Sequence, residues 1–473
     1  MSTVLDVIVI GAGPAGVVAA LRAGDLGAKT ALVTRDLFGG MAANDGPVPV
    51  RTLAHAARLM RDARQLGQYG INVGAPNLDY SALLERVREV TCDVRAHSAF
   101  RKNIDEAGVA VYEQCGPVRF VSPSTIRTAS GLELQGKNII ICTGGVSRQV
   151  SVPGSEFTAT HSDAWKLNKV PGSMLVLGGG ATGAQVASIF NAFGSEVQLF
   201  HAGPRILPTE DQDVSAAVAC AFRKSGIRVT ENFGAVDSFE QTPTGVRMHF
   251  SKDGKSGSAE ATLAVIAIGW VANTAGLNLE DAGVDTDAKG FIQVDEYLRT
   301  SAPTVFAAGD VTGRLMLAPQ AIHDGFIAAT NAVRGVTMKL PDKAAPIGSF
   351  TDPEYAQVGL TETKARALHD VVVARIGFDS TTRTIIDGRT DGFCKLIADK
   401  QTRKILGCHV VGERAVEIAQ VAAVAMAGAM RVDDLAQVPL SFPTYAGVLG
   451  RVAANATRQL NLNVPWQASQ VGT

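Results

Sequence analysis

The sequence predicts an α/β chain built on two doubly wound units, and three observations support this. The apolar run Val7–Ile10 leads straight into Gly11-Ala12-Gly13-Pro14-Ala15-Gly16 and a segment rich in Ala, Val and Leu. The run Met174–Leu177 leads in the same way into Gly178-Gly179-Gly180-Ala181-Thr182-Gly183. A strand, a tight glycine turn and a helix with free N-terminal amides suit a pyrophosphate, so both units read as Rossmann-like and dinucleotide-binding. Two such units in one chain are far more specific than one. The third observation is size: 473 residues, 46% of them hydrophobic, are enough for about two to four domains with substantial cores.

Lysine and arginine total 44 against 45 aspartates and glutamates, a net charge of −1, so no footprint for nucleic acid or an anionic membrane is expected. No uninterrupted apolar stretch approaches the roughly 20 residues that cross a bilayer. The opening MSTVLDVIVIGAGPAG enters a strand with no basic segment ahead of it, unlike a secretory signal. A cytoplasmic location without membrane insertion is expected. Cys92, Cys115, Cys142, Cys220, Cys394 and Cys408 show no C-x-x-C or metal-ligand spacing. Cys142 and Cys394 lie in apolar, strand-like runs where a buried inert thiol is the ordinary case. No metal site is expected.

Taken in order, Thr30–Thr34 reads as a second strand, at whose end an acid would hold a ribose by its hydroxyls. The residues there are Thr34, Arg35 and Asp36. Thr52–Gln65 reads as a helix, with Leu53, Ala56, Ala57, Met60 and Ala63 at helical spacing, and Tyr80–Phe100 as another. His55 reads as a packing or capping group before it reads as a substrate contact. Residues 109–150 alternate strands and turns and end in Asn138–Ile141, Cys142, Thr143, Gly144 and Gly145; Pro153-Gly154 marks a crossing. The strand Glu196–Phe200 ends at His201, with Arg205 close behind. An acid there favours the 2′-hydroxyl of NAD and a basic group the 2′-phosphate of NADP, so His201 and Arg205 favour NADPH. Ala264–Gly269 reads as a buried strand, Ala419–Ala429 as a small-residue helix and 461–473 as a loosely ordered tail.

DVIVIGAGPAG at 6–16, Gly39-Gly40, Pro49 with the basic Arg51, CTGG from Cys142 and VFAAGD from Val305 together resemble the flavoprotein disulfide reductases. That group includes lipoamide dehydrogenase, glutathione reductase and mercuric reductase, and the resemblance covers residues 1–460. It implies an FAD-binding domain from 1–152 and 273–344, an NAD(P)H-binding domain over 153–272, and a C-terminal α+β dimerisation domain over 345–473, hence a homodimer. For FAD it implies Gly11, Gly13, Pro14, Ala15, Gly16, Thr34, Arg35, Gly40, Met41, Thr143, Gly144, Gly309, Asp310 and Ala318, with Asp310 accepting from the ribitol. For the nicotinamide nucleotide it implies Gly178, Gly180, Thr182, Gly183, Gln185, His201, Arg205 and Gly269. The segment LAPQAIHDG resembles the helix whose positive N-terminus faces the flavin and stabilises its anionic reduced form; Gln320, His323 and Asp324 lie on it.

The departures from that pattern fall together. The relatives' two redox cysteines correspond to Ala42 and Pro47, and their lysine to Arg51. The C-terminal H-P-T-x-x-E has Phe442 for its His and Gly447 for its Glu. The Glu that pairs with the lysine is Gln185, the tyrosine that shields the flavin is Ala181, and G-R-x-P-N has become Gly269-Trp270-Val271-Ala272-Asn273. Four members of one thiol-exchange device are absent at once, while both nucleotide motifs are intact. The resemblance therefore implies an FAD-dependent NAD(P)H oxidoreductase of the diaphorase or quinone-reductase kind, with a non-disulfide acceptor. Its pocket would hold Met41, Ala42, Asn44, Asp45, Pro47 and, across a dimer interface, Phe442 and Tyr445. Arg51, Asp45, Tyr445 and Phe442 are the catalytic candidates, Arg51 because it keeps a fixed positive charge beside the flavin. Three other readings stay open: a transhydrogenase with a second nicotinamide as acceptor, an enzyme using Asp45 or Tyr445 for proton transfer on an organic substrate, and a non-catalytic nucleotide sensor.

Overall fold

The computed structural model describes residues 4–97, 99–341 and 345–462; the expected tail lies outside them from residue 463 onward. The strand Leu5–Ile10 carries the run Val7–Ile10, branched apolar residues buried on both faces, which suits the centre of a parallel sheet. It pairs in parallel with Thr30–Val33 on one side and Glu133–Ile141 on the other, and Val305–Ala307 joins the latter, again in parallel. The register sets Ile10 beside Val33 and Ile141, and Ile141 beside Ala307. Gly11, Thr34, Cys142 and Ala308 therefore emerge side by side at the carboxyl edge, where open α/β sheets bind ligands.

The second sheet repeats this plan. Its strands run in the order Arg228–Glu231, Glu196–His201, Ser173–Leu177, Leu263–Ile266 and Ala159–Thr160, and every pairing is parallel. A three-stranded antiparallel sheet, 235–261, flanks it, and the short pair Trp270–Ala272 with Gly145–Ser147 ties the two nucleotide units together. The chain then builds a five-stranded antiparallel sheet in the order Ile347–Ser349, Tyr355–Gly359, Ile405–Val411, Phe393–Asp399 and Val371–Gly377. Helices Ala415–Ala427 and Gly447–Gln459 pack on it around a core that includes Leu396, Ile418, Leu449 and Val452.

Three helices depart from the sequence expectation, and the one expected over Ala419–Ala429 runs from Ala415 to Ala427. The one expected to begin at Thr52 begins at Pro47, because the first helical N–H groups need no internal partner and proline is tolerated there. The one expected to run to Phe100 ends at His97, and a separate helix, Ala99–Glu106, follows. The two serve different cores: Tyr80, Leu84 and Val87 join the core under the second sheet, and Ile104 joins that under the first.

The second nucleotide unit meets the C-terminal sheet at a charged joint. Lys395 Nζ, fully buried, lies 2.6 Å from Asp211, 2.9 Å from Asp213 and 2.9 Å from Glu362. Beside it, burial pushes the Glu210 carboxyl up to about 7. A raised folded-state value costs stability as pH rises from the ordinary carboxyl range through about 7. Glu210→Gln is therefore expected to match the parent at pH 4 and to exceed its urea stability at pH 8 by about 1–3 kcal/mol. Parallel stability-versus-pH curves for the two proteins would sink this account.

Candidate active site

The carboxyl ends of the first sheet open on a cleft of ≈ 630 Å³. Gly11 stands at φ +105, and a Cβ there would lie 2.3 Å from the Cys142 carbonyl oxygen; Gly178 repeats this at φ +112, 2.2 Å from that of Ala267. Only glycine lets these turns form. Gly13 and Gly180 cap the following helices with no side-chain hydrogen bond, and a Cβ on either would meet nothing within 4 Å. The amides at both helix starts thus face open space, as an incoming phosphate requires.

The first cleft fits a flavin dinucleotide. Gly11, Gly13, Pro14, Ala15, Thr34, Arg35, Gly40, Met41, Thr143, Gly144, Gly309, Asp310 and Ala318 all line it, and Gly16 stands behind it, packed on Gly11. Thr143 Oγ1 is buried without a partner. Burial, with Asp324 adding to it, pushes Asp310 up to about 6, as expected of a carboxyl that a ligand hydroxyl would relieve. Asp36 is exposed and paired with Arg35 at 2.9 Å, whereas Thr34 is buried at the same edge. The helix Ala318–Arg334 presents an uncapped N-terminus. Gln320 does not reach the cleft: its amide donates to Asp324 at 2.6 Å. His323 is exposed.

On the nicotinamide side, Ala181, Thr182, Gln185 and Trp270 line the same cleft, with Gly178, Gly180 and Gly183 forming the turn. Gly269 sits at the base of the Trp270 strand, its carbonyl accepting from the Arg148 amide. His201 Nδ1 accepts from the Gly179 amide at 3.2 Å, and burial lowers its pKa against an opposing pull from Glu231. The Arg205 guanidinium donates to the carbonyls of Pro208 and Glu210, both at 3.0 Å.

Arg51 Nη1 donates to Gln185 Oε1 at 3.0 Å, and its guanidinium lies 3.3 Å from the Phe350 ring centroid. Burial lowers its pKa to about 10, opposed by Glu354 and Tyr355. It remains charged at neutral pH and forms the wall between the cleft and a second cavity of ≈ 400 Å³ lined by His55, Arg58, Arg61 and Glu354. Met41, Ala42, Asn44, Asp45 and Pro47 line the main cleft, and Cys142 is the one cysteine that does. Its thiol is fully buried and pushed well above its ordinary value by that burial, which makes it a poor nucleophile. All six cysteines are free.

Phe442 and Tyr445 do not reach the cleft of their own chain. Phe442 is 82% exposed, and the Tyr445 hydroxyl donates to Asp387 at 2.8 Å. What the sequence reading missed is the segment 161–165. His161 and Trp165 line the cleft opposite Asp45, and Ser162 donates a hydrogen bond to Asp45 Oδ2. The signal for it was a capping box, Thr160 with Asp163, which starts the short helix. Nothing local shows that this helix faces Asp45.

Residues 5–325 match the family described as pyridine nucleotide-disulphide oxidoreductase, and residues 345–453 match its dimerisation domain. A dihydrolipoyl dehydrogenase of Zymomonas mobilis subsp. mobilis is 36% identical over 428 residues, covering 89% of this chain and 91% of the relative. A mercuric reductase of Bacillus cereus is 31% identical over 93% of this chain and 70% of the relative. Among solved structures, the Cu(II) complex of RclA, an HOCl-induced flavoprotein disulfide reductase of Escherichia coli, superposes with a TM-score of 0.85 at 26% identity, covering 96% of this chain and 99% of that one. With both nucleotide turns, the cleft between them and the C-terminal sheet in place, the chain belongs to the pyridine nucleotide-disulphide oxidoreductase family.

Proposed function

We propose that this protein is an FAD-dependent NAD(P)H oxidoreductase that passes electrons from the nicotinamide, through the flavin, to a non-disulfide acceptor such as a quinone or another small conjugated organic molecule. The observation that carries this reading is the wall formed by Ala42 and Pro47, where the resemblance places the redox cysteines, with Cys142 the only thiol at the cleft and fully buried. Bound FAD would supply the two-electron chemistry. The chain's own part is to hold the two nucleotides on paired glycine turns and to keep a fixed positive charge, Arg51, at the cleft. An apolar lining with a few polar groups suits a flat acceptor. The dimerisation-domain match supports a homodimer, in which a second subunit would cover the exposed Phe442. NADPH as donor rests on the sequence alone, on His201 and Arg205 standing where an acid would select NAD, since the Arg205 guanidinium is engaged by backbone carbonyls. The protein is taken to act in the cytoplasm; no helix among the described residues is long and apolar enough to cross a membrane.

The test is an anaerobic two-step experiment on the flavin-loaded protein. Mixing with NADPH or NADH should bleach the flavin band rapidly, with the larger kcat/KM for NADPH. Quinone should then restore the band, while lipoamide, glutathione disulfide and mercuric ion should not. Reductase-like turnover of any of those three overturns the non-disulfide assignment, and an unbleached flavin overturns the oxidoreductase reading.

A further inference from the structure

We propose that Asp45 is the group through which the cleft handles the proton of its substrate, that Ser162 and His161 are its positioning residues, and that the substrate there is a hydroxylated aromatic, a quinol and its quinone. This rests on the oxidoreductase reading above and names its acceptor subsite. Ser147 Oγ lies 2.8 Å from His161 Nδ1, His161 Nε2 lies 3.4 Å from Ser162 Oγ, and Ser162 donates to Asp45 Oδ2. One assignment of protons serves all three contacts. The Ser162 hydroxyl gives its hydrogen to the carboxyl, so its oxygen accepts from His161 Nε2–H, and Nδ1 accepts from Ser147. Every donor then points along the chain toward Asp45. The imidazole is held between Trp270, at 4.8 Å between ring centroids, and Trp165, at 6.4 Å. Burial holds His161 below its ordinary pKa against Asp45 and Asp163, consistent with a neutral ring in this tautomer.

The free ends of the site define the ligand. Asp45 Oδ1 is buried without a hydrogen-bond partner, with the Lys166 ammonium 3.5 Å away on its solvent side. Asn44 Oδ1 and Trp165 Nε1 are likewise buried and unpartnered, and all three residues line the cleft. Two acceptors and one donor, set among the rings of His161, Trp165 and Trp270, complement an aromatic hydroxyl, which donates through its hydrogen and accepts at its oxygen. In the reducing direction the quinone takes two electrons and two protons: NAD(P)H supplies one hydrogen with both electrons and is oxidised. Asp45 Oδ1 takes the second proton from water on the exposed Lys166 side and passes it to the quinone, Ser162 and His161 holding the carboxylate in place without giving up a proton, and each C=O becomes C–OH.

Two measurements on the flavin-loaded enzyme test this. Phenol, which is not reduced, is titrated by tryptophan fluorescence and calorimetry. The parent should bind it, Asp45→Asn should weaken binding about tenfold or more, since bonds to charged groups are the stronger ones, and His161→Phe should weaken it a few-fold. Turnover is then compared for benzoquinone and for ferricyanide, which accepts an electron without a proton. In Asp45→Asn and His161→Phe the quinone-to-ferricyanide ratio should fall about tenfold to a hundredfold, as loss of a positioned proton donor predicts. His161→Gln, which keeps an N–H for Ser162, should recover part of the ratio. Equal loss for both acceptors marks a merely structural role and overturns the proposal, as does a phenol affinity unchanged in Asp45→Asn. Phenol binding that depends on Asp45 in an enzyme that does not turn over quinone supports the subsite and overturns the acceptor assignment instead.

Discussion

Gly180→Val should purify folded and flavin-bound but show a kcat/KM for NAD(P)H about a hundredfold lower, because the new side chain occupies the space of the nucleotide phosphates and about 3 kcal/mol of binding is lost. The protein itself should not object. Gly180 has φ −79 and ψ −173, an extended conformation open to any residue, and a Cβ there meets nothing within 4 Å. Gly13, at φ −77 with the same open surroundings, is its counterpart, and Gly13→Val should fold but retain little FAD. The pair separates the two sites: one variant yellow and unreduced, the other folded and nearly colourless. Stopped-flow bleaching and the flavin-to-protein absorbance ratio read the two losses. Normal bleaching of Gly180→Val would mean that no nucleotide approaches that turn.

Lys395→Met should lower stability by about 3–5 kcal/mol, the usual cost of stripping one partner from a buried ion pair. Lys395 and Asp211 each have side chains only 2% exposed. Asp211 also caps the helix Gln212–Lys224 and accepts from the Glu362 amide at 2.9 Å, so it cannot swing out to water. The substitution leaves a buried carboxylate without its cation, at the seam between the second nucleotide unit and the C-terminal sheet. Urea denaturation followed by circular dichroism should show the loss, and Asp211→Asn added to Lys395→Met should recover part of it. A single substitution costing under about 1 kcal/mol would place the joint among ion pairs that contribute little.

Much of the frame was legible because it depends on local rules. Parallel strands buried on both faces read as apolar runs, and a turn that only glycine can make must show glycine, so Gly11 and Gly178 announced both nucleotide units. Also visible was that Ala42, Pro47, Phe442 and Gly447 stand where the resemblance puts the members of a thiol device. The contact between Arg51 and Gln185 joins two residues that the family pattern already coupled, and the structure has it at 3.0 Å.

Other features depended on distance in the chain. Whether Gln320 points at the cleft or at Asp324 is decided by a carboxyl on the same helix that offers it a closer partner. Whether Arg205 stands free is decided by the carbonyls of the turn that follows it. The facing of Asp45 by Ser162, 117 residues away, leaves no periodicity or spacing in the sequence, because side-chain approach between separate elements is fixed by how the sheets dock. The sequence by itself determined the two nucleotide folds and the family resemblance, and set Ala42 and Pro47 at the positions where that resemblance puts the redox cysteines, all of which follow from backbone geometry and residue identity. Only the tertiary structure decided that His161, Ser162 and Asp45 form one hydrogen-bonded chain, because that requires three segments to be packed against one another before any of their polar atoms can meet.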